Sequence, residues 1–558
     1  MATRFSPFWT SRQESFETSP VSRTTSSLRF AYHHPLTILA ALGWPALSQQ
    51  TMVSQLCSGC LSGFRQTPRA LLLQRAQLQP FITPPSSLSR ASFHTSATRF
   101  ANPLQKKSKS GDNGPKFRES KSARMRKHKK PVDRGRPPAV GERKALRKRI
   151  VLSNTNALEV AGMQEFSEDV SVDSRLRGAV VGLPVSVVAQ LRAVHAFKPT
   201  QNWFLFRRPA VVMRRESLEM GKVFESITNG EDKGKLVKKI ITGPRGCGKS
   251  VHLLQAMATA FLKKWIVIAV PEAQDYVIAS SSYAPLAGSS PTQYVQDQLT
   301  SALLLRTVLA NEQILTNLRV SLEHPELKNL LRPKMTLNDL ARLGVQDAAI
   351  SWPVFQAFWA ELNATSGPEG FQARPPVLVT VDGIGHWMQE SKYRDRDFNL
   401  IHAHDLTLPS HLLSLLQPSS SKPVLPNGGL VLYAASASNK PSVPSFDMAL
   451  QQLAARQKGQ SESSPEYPRP DPYDVVDQRI LDTFRKTTSK TAQQSALELQ
   501  TLGGLSRDEA RGYMEYFARS GILQEKVSED WVGEKWSLAG GGIVGEMEKL
   551  GSRLRTAL

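Results

Sequence analysis

Runs of consecutive apolar residues divide the middle of the chain into strand and helix segments. One run ends at Thr242, and three others occupy 265–270, 377–381 and 429–435. Such continuous runs are typical of strands that are buried on both faces of a parallel sheet. After the first run, apolar residues recur at helical spacing, namely at Val251, Leu253, Leu254, Met257, Phe261 and Leu262. The alternation of strand and helix predicts an α/β fold with a doubly wound parallel sheet.

Weaker patterns flank these strands. Residues 151–235 mix short helical and apolar segments, 275–372 have the pattern of helices and loops, and 458–472 have the composition of a disordered linker. The elements predicted after this linker are helices at 474–486, at 491–502 and from Ser506 onward, and a strand at 531–538. Three helices and a strand are the order of a winged-helix-like domain, which we expect to pack as a lid beside the sheet.

The turn after the first strand has the G-x-x-x-x-G-K-[ST] spacing of a phosphate-binding loop. Its residues are Gly243, Pro244, Arg245, Gly246, Cys247, Gly248, Lys249 and Ser250. Glycines let several backbone N–H groups converge on one anion, and the following helix adds its positive end. Lys249 is expected at the β- and γ-phosphates, and Ser250 is expected to ligate Mg²⁺. The alternative is a glycine-rich turn that binds nothing.

The run at 377–381 ends in Asp382, which is a Walker B pattern. A carboxylate at the C-terminal edge of a parallel strand can hold Mg²⁺ through water, so Asp382 is the second predicted metal ligand. The alternative is a turn residue at the end of a strand. Gly383 stands where an ATPase would place a catalytic glutamate, so fast hydrolysis is not predicted and no catalytic residue is assigned.

The net charge of +23 is concentrated at the front of the chain. Residues 1–100 hold nine arginines, no lysine and two acidic residues, which is the composition of a cleaved mitochondrial presequence. The absence of acidic residues between Met52 and Phe100 makes Met52 an alternative start. Generic disorder is the other interpretation.

Residues 101–150 hold 18 basic residues against four acidic ones, with few large apolar residues. Such a segment is expected to be a disordered arm that neutralises the phosphates of RNA, although a solvated linker or a nuclear signal has the same composition. The rest of the chain is nearly neutral at +2.

Membrane and redox features are weak. The apolar run at 36–47 is too short to span a bilayer. Cys57 and Cys60 lie within the predicted presequence, so Cys247 would be the one thiol of the mature chain, which fits a reducing compartment. His402, Ala403, His404 and Asp405 lack further metal ligands and are better interpreted as a helix start.

Together these segments resemble the death-associated protein 3 family, the GTP-binding proteins of the mitochondrial ribosomal small subunit. The blocks that carry the resemblance occupy 205–215, 240–255, 265–277, 377–388 and 428–440. The spacing of these blocks and the segments at 271–276 and 280–285 resemble the fungal members of the family. The family implies bound GTP or GDP, with ATP less expected, and Mg²⁺. It also implies contacts with small-subunit rRNA and neighbouring ribosomal proteins in the mitochondrial matrix.

The complete prediction is a P-loop NTPase fold of the AAA or STAND type. Its parts are a presequence at 1–100, the basic arm at 101–150, an N-terminal mixed segment at 151–235, the nucleotide-binding domain at 236–457 and the winged-helix-like domain at 473–558. Neither a membrane, DNA nor a second copy of the chain is an expected partner. Two other function classes stay open: an active P-loop ATPase or GTPase, and a cell-death signalling switch.

Overall fold

The computed structural model describes residues 150–230, 232–367, 371–417, 424–485 and 497–552. The predicted presequence, with Cys57 and Cys60, and the basic arm up to residue 149 lie outside the described residues.

The secondary structure alternates between helix and strand through most of the described chain. The strands are β1 (Val180–Gly182), β2 (Ala210–Val212), β3 (Leu236–Thr242), β4 (Ile266–Val270), β5 (Ala284–Pro285), β6 (Tyr294–Val295), β7 (Val377–Asp382), β8 (Glu390–Arg394), β9 (Leu400–His402), β10 (Gly429–Ala434) and β11 (Leu497–Thr501). The α-helices are α1 (Val185–Ala193), α2 (Arg215–Asn229), α3 (Lys249–Leu262), α4 (Asp297–Leu315), α5 (Leu337–Gln346), α6 (Ser351–Leu362), α7 (Thr407–Ser414), α8 (Pro444–Gln457), α9 (Gln478–Thr483), α10 (Arg507–Arg519), α11 (Glu529–Leu538) and α12 (Val544–Ser552).

Five strands form one parallel sheet in the order β11, β3, β10, β7, β4. The predicted α/β class and the predicted strands at 240–242, 265–270, 377–381 and 429–435 are therefore confirmed, and the fold is compatible with that of P-loop NTPases. Three pairs of short strands form antiparallel ribbons outside this sheet.

Alternate residues of β3, β4, β7 and β10 enter two different hydrophobic cores. On β7, Val377, Val379 and Val381 pack with the helices of 297–457, whereas Leu378 packs with α1, α2 and α3. Every residue of β4, β7 and β10 is buried. The continuous apolar runs follow from this two-sided burial.

The C-terminal part differs from the winged-helix prediction in two places. The helix predicted at 491–502 is wrong where the structure describes it, because 497–501 form β11 and pair with β3. There Leu497 and Leu499 pack against the core and alternate with polar residues, which is the period of a strand.

The strand predicted at 531–538 is also wrong, because Glu529–Leu538 is a helix. The Ser528 side chain accepts a hydrogen bond from Trp531 N, and Glu529 and Asp530 stand in the first turn, where carboxylates stabilise a helix. The helix predicted from Ser506 is confirmed and begins with a capping box between Ser506 and Glu509. The helix predicted at 474–486 is shorter and covers Gln478–Thr483.

A buried ion pair ties α6 to the strand β7 that follows it. Arg374 Nη2 lies 2.7 Å from Glu361 Oε2, and both side chains are almost completely buried. Burial alone would raise the pKa of Glu361, but hydrogen bonds from Leu322 and Ser321 hold that pKa below its ordinary value. The carboxylate is therefore charged and fully partnered inside the fold.

We predict that Arg374→Met lowers the free energy of unfolding by about 3–5 kcal/mol, since it leaves Glu361 buried without its cation. The matched control is Arg342→Met, which removes an exposed pair with Glu312. That control should cost less than about 1 kcal/mol. Urea denaturation of the three proteins measures both values, and equal losses in the two variants would contradict the prediction.

Candidate nucleotide site

The phosphate loop, residues 243–250, connects the end of β3 to the start of α3. Gly243, Gly246 and Gly248 all have positive φ angles, at 146°, 80° and 97°. A Cβ atom on Gly243 would lie 2.2 Å from the Leu502 carbonyl oxygen, so a larger residue cannot replace it without a backbone shift. The glycines required by the motif are therefore required by this backbone.

The loop leaves hydrogen-bond donors available for an anion. Among the described residues, no acceptor binds the backbone N–H groups of Gly246, Gly248, Lys249 and Ser250. Lys249 Nζ donates to the carbonyl oxygens of Gly243 and Pro244 at 2.8 and 2.9 Å. A third, longer contact joins Lys249 Nζ to Cys247 Sγ at 3.7 Å, so the ammonium is held at the loop by three partners from the loop itself. Free N–H groups at a helix N-terminus beside an ammonium are suited to phosphate.

The two predicted metal ligands are in direct contact. Ser250 Oγ donates to Asp382 Oδ2 at 2.6 Å, although the two residues are 132 positions apart. Parallel pairing makes this possible, because β10 lies between β3 and β7 and Ala434 is opposite both Ile241 and Asp382. The hydroxyl and the carboxylate lie together beside the phosphate loop, as the sequence predicts.

The residue after Asp382 turns the chain sharply at the end of β7. Gly383 has a φ of 87° and turns the chain into a short 3-10 helix, Ile384–Trp387. His386 on that turn is largely buried, and burial lowers its pKa. No carboxylate therefore follows the Walker B aspartate within this turn.

Arg214 is a site residue that sequence reasoning missed. Its Nη1 donates to Cys247 O at 2.6 Å, its Nη2 donates to Gly503 O at 3.0 Å, and its Nε lies 3.2 Å from Glu216 Oε2. The guanidinium is buried and joins the phosphate loop to the segment after β11. Its only sequence signal is its position beside the apolar residues 210–213.

Lys198 is a second residue that the sequence did not indicate. Its ammonium forms an ion pair with Asp382 Oδ2, the oxygen that also accepts from Ser250. Lys198 lies on the turn between α1 and the 3-10 helix Trp203–Leu205. Nothing in a single basic residue at that sequence distance predicts this contact.

The C-terminal segment touches the phosphate loop directly. Gly545 N, at the start of α12, donates to Gly246 O at 2.9 Å, and Gly246 also lies next to Ile543. Before it, Gly540, Gly541 and Gly542 all have positive φ angles. The loop is thus covered on one side by residues from the end of the chain.

The histidines near the site carry no charge at neutral pH. His252 on α3 is buried, and burial, followed by the charges of Arg214 and Lys239, lowers its pKa to about 3.

The histidine cluster at 402–405 forms the start of a helical turn. His402 Nδ1 accepts from His404 N at 3.2 Å and starts the 3-10 turn at Ala403–Asp405, so the predicted helix start is confirmed.

Two further observations concern metal ions and membranes. Within the described ranges, no three His, Cys, Asp or Glu side chains come together as they would around a metal ion. No helix in the described part of the chain is both long and apolar enough to cross a bilayer. Residues 439–442 follow β10 and resemble the guanine-reading motif of small GTPases, but Ser442 stands where that motif has an aspartate. Here Asn439 donates to Gln274 and Lys440 pairs with Asp447.

Comparison with known proteins gives a consistent family. The family model described as mitochondrial ribosomal death-associated protein 3 matches residues 211–550. Small ribosomal subunit protein mS29 of Neurospora crassa is 40% identical over 424 residues, which cover 76% of this chain and 85% of the relative. The protein of the same name in Schizosaccharomyces pombe is 26% identical over 377 residues, covering 67% and 71%. The chain therefore belongs to the mitochondrial ribosomal death-associated protein 3 family.

Proposed function

We propose that the protein is a structural component of the small subunit of the mitochondrial ribosome, and that it holds a guanine nucleotide with Mg²⁺ as a fixed part. Family membership supports the ribosomal role, as does the similarity to two fungal proteins named as small ribosomal subunit proteins. The protein would act in the mitochondrial matrix, where its partners would be small-subunit rRNA and neighbouring ribosomal proteins.

The observation that carries the nucleotide proposal is the hydrogen bond between Ser250 Oγ and Asp382 Oδ2. It brings a hydroxyl and a carboxylate to the open N-terminus of α3, beside the Lys249 ammonium. These are oxygen ligands of the kind that Mg²⁺ prefers, and Mg²⁺ usually keeps several waters and takes phosphate oxygens as further ligands. Ser250 and Asp382 would hold the metal, which would neutralise phosphate charge there.

The identity of the base rests on family membership. The side chains of Asn439 and Lys440 are engaged with Gln274 and Asp447, so the segment resembling a guanine motif supplies no argument for guanine. We assign GTP or GDP because of the family, with ATP as the alternative that nucleotide extraction would reveal.

Slow turnover follows from the groups around the loop. Gly383 replaces a catalytic glutamate after Asp382. Each nitrogen atom of the Arg214 guanidinium has a protein partner, at Glu216, Cys247 and Gly503, and these contacts hold the side chain against the loop backbone. An active ATPase or GTPase would need a catalytic glutamate and an arginine finger, so a structural nucleotide is the better proposal.

The ribosomal role predicts sedimentation with the small subunit. Mitochondrial lysate on a sucrose gradient, analysed by mass spectrometry, should place the protein with small subunits and release it only at high salt. Deleting residues 101–150 should lower the salt concentration for release, because each phosphate contact steepens the salt dependence. A protein that sediments freely at low salt would contradict the ribosomal proposal.

The nucleotide proposal predicts a specific effect of Lys249→Ala. We expect the purified variant to lose most of its bound nucleotide and, with it, about 2–3 kcal/mol of stability, the amount that a ligand near one hundred times its Kd provides. The control is Lys222→Ala, which removes an exposed lysine on α2. Unchanged nucleotide content in Lys249→Ala, measured by chromatography of the extract, would overturn the assignment.

The proposal also predicts that the purified protein binds GTP and hydrolyses it very slowly. Loss of a transition-state cation alone can reduce the rate of phosphoryl transfer ~10³–10⁵-fold. Phosphate release is the measurement, with Lys249→Ala as the control for contaminating enzymes. Sustained turnover on the order of 1 s⁻¹ that Lys249→Ala abolishes would show that the protein is an active P-loop ATPase or GTPase.

A further inference from the structure

Lys198 lies where a bound metal ion would need the same carboxylate. We propose that Lys198 and Mg²⁺ compete for Asp382, so that Lys198 sets the metal requirement of the nucleotide site. This rests on the proposed nucleotide binding and adds to it a residue that lies before the part of the chain matched by the family model, residues 211–550.

The contact is selective for one oxygen. Asp382 Oδ2 accepts from Ser250 Oγ and also pairs with the Lys198 ammonium, and the two charged side chains are only 10% and 21% exposed. Lys249, the other ammonium at the loop, is turned to the Gly243 and Pro244 carbonyls instead. Among the described residues, Lys198 is thus the cation that pairs with Asp382.

The turn that carries Lys198 is held in place by its neighbours. Gln201 Oε1 accepts from the Lys198 backbone N at 2.9 Å and from Trp203 Nε1 at 2.7 Å. Phe197 and Trp203 are buried, and their rings meet edge to face at 5.2 Å. These contacts fix the backbone of the turn, from which Lys198 is directed at Asp382.

Electrostatics makes the two cations mutually exclusive. Mg²⁺ requires near-octahedral oxygen ligands and keeps part of its water shell, so it needs room beside Ser250 and Asp382. An ammonium and a divalent ion at one carboxylate oxygen repel each other at short range in a partly buried site. Entry of the metal therefore requires Lys198 to leave Asp382.

The structure provides a place for the displaced side chain. Lys198 lines a cavity of about 620 Å³ whose wall also contains Glu272 and Asp275. Both residues are exposed, and their carboxylates offer the ammonium a second partner at the cavity wall. Arg192 and His195 line the same cavity, and burial followed by the charge of Arg306 lowers the pKa of His195, so it adds no competing positive charge at neutral pH.

The test compares wild type, Lys198→Met and Lys198→Arg as full-length proteins, with a fluorescent GDP analogue titrated at fixed Mg²⁺ concentrations and in EDTA. Lys198→Met keeps the apolar stem and removes the charge. We expect its half-saturating Mg²⁺ concentration to fall at least tenfold. Its metal-free nucleotide affinity should also fall, because Asp382 is then left unneutralised near the phosphates. Lys198→Arg should stay close to wild type.

The control is Lys235→Met, which removes a lysine paired with Asp232 at the opposite end of β3 and should change neither value. A purely structural role for Lys198 would lower the affinities with and without Mg²⁺ together, and that result, or an unchanged Mg²⁺ midpoint, overturns the proposal. If Lys198→Met does not fold, Lys198→Gln is measured in the same way. Wild-type protein that binds no nucleotide would instead refute the proposed function.

Discussion

The candidate site depends first on the parallel pairing of β10 with both β3 and β7. This pairing sets the ends of the three strands level, with Ala434 opposite Ile241 on one side and Asp382 on the other. A shift by one residue would reverse which side chains of β10 enter each core, and burial on both faces of the sheet opposes it. The contact between Ser250 and Asp382 is therefore a consequence of how the core packs.

Segments from both ends of the described chain then converge on the phosphate loop. Lys198 and Arg214 come from the N-terminal side, whereas Gly503 and Gly545 come from the C-terminal side. Arg214 joins the N-terminal side to the C-terminal side, since its one guanidinium donates to the carbonyl oxygens of both Cys247 and Gly503. The N-terminal segment also shares its hydrophobic core with α3 and the sheet, so it stabilises the loop through packing as well.

Local pattern was enough to predict the strands and the loop. The apolar runs at 377–381 and 429–435 and the loop spacing at 243–250 are properties of neighbouring residues, and each is present in the structure. Asp382 could be placed because it ends a recognisable strand. These features need no knowledge of how distant segments meet.

The features that sequence reasoning missed all depend on distant contacts. β11 is a strand because it hydrogen-bonds to β3, more than 250 residues earlier, while its own polar residues Glu498 and Gln500 gave a weak local pattern. Lys198 and Arg214 are single basic residues whose roles come from the carboxylate and carbonyls that the fold places beside them. The wrong strand prediction at 531–538 has a different cause. Ser528 and its two acidic neighbours are a local signal for a helix start, and the aromatic residues that follow obscured it.

The covering of the loop explains why a bound nucleotide would act as a structural part under the proposed function. Gly545 is bound to Gly246, Arg214 joins Cys247 to Gly503, and β11 adds to β3, so residues 497–552 are attached at the loop itself. A ligand that orders the loop would strengthen this attachment, since its binding free energy is added to the folded state. Its release would in turn weaken the contacts of the C-terminal segment. A site built in this way links occupancy to the integrity of the fold and gives hydrolysis no evident advantage.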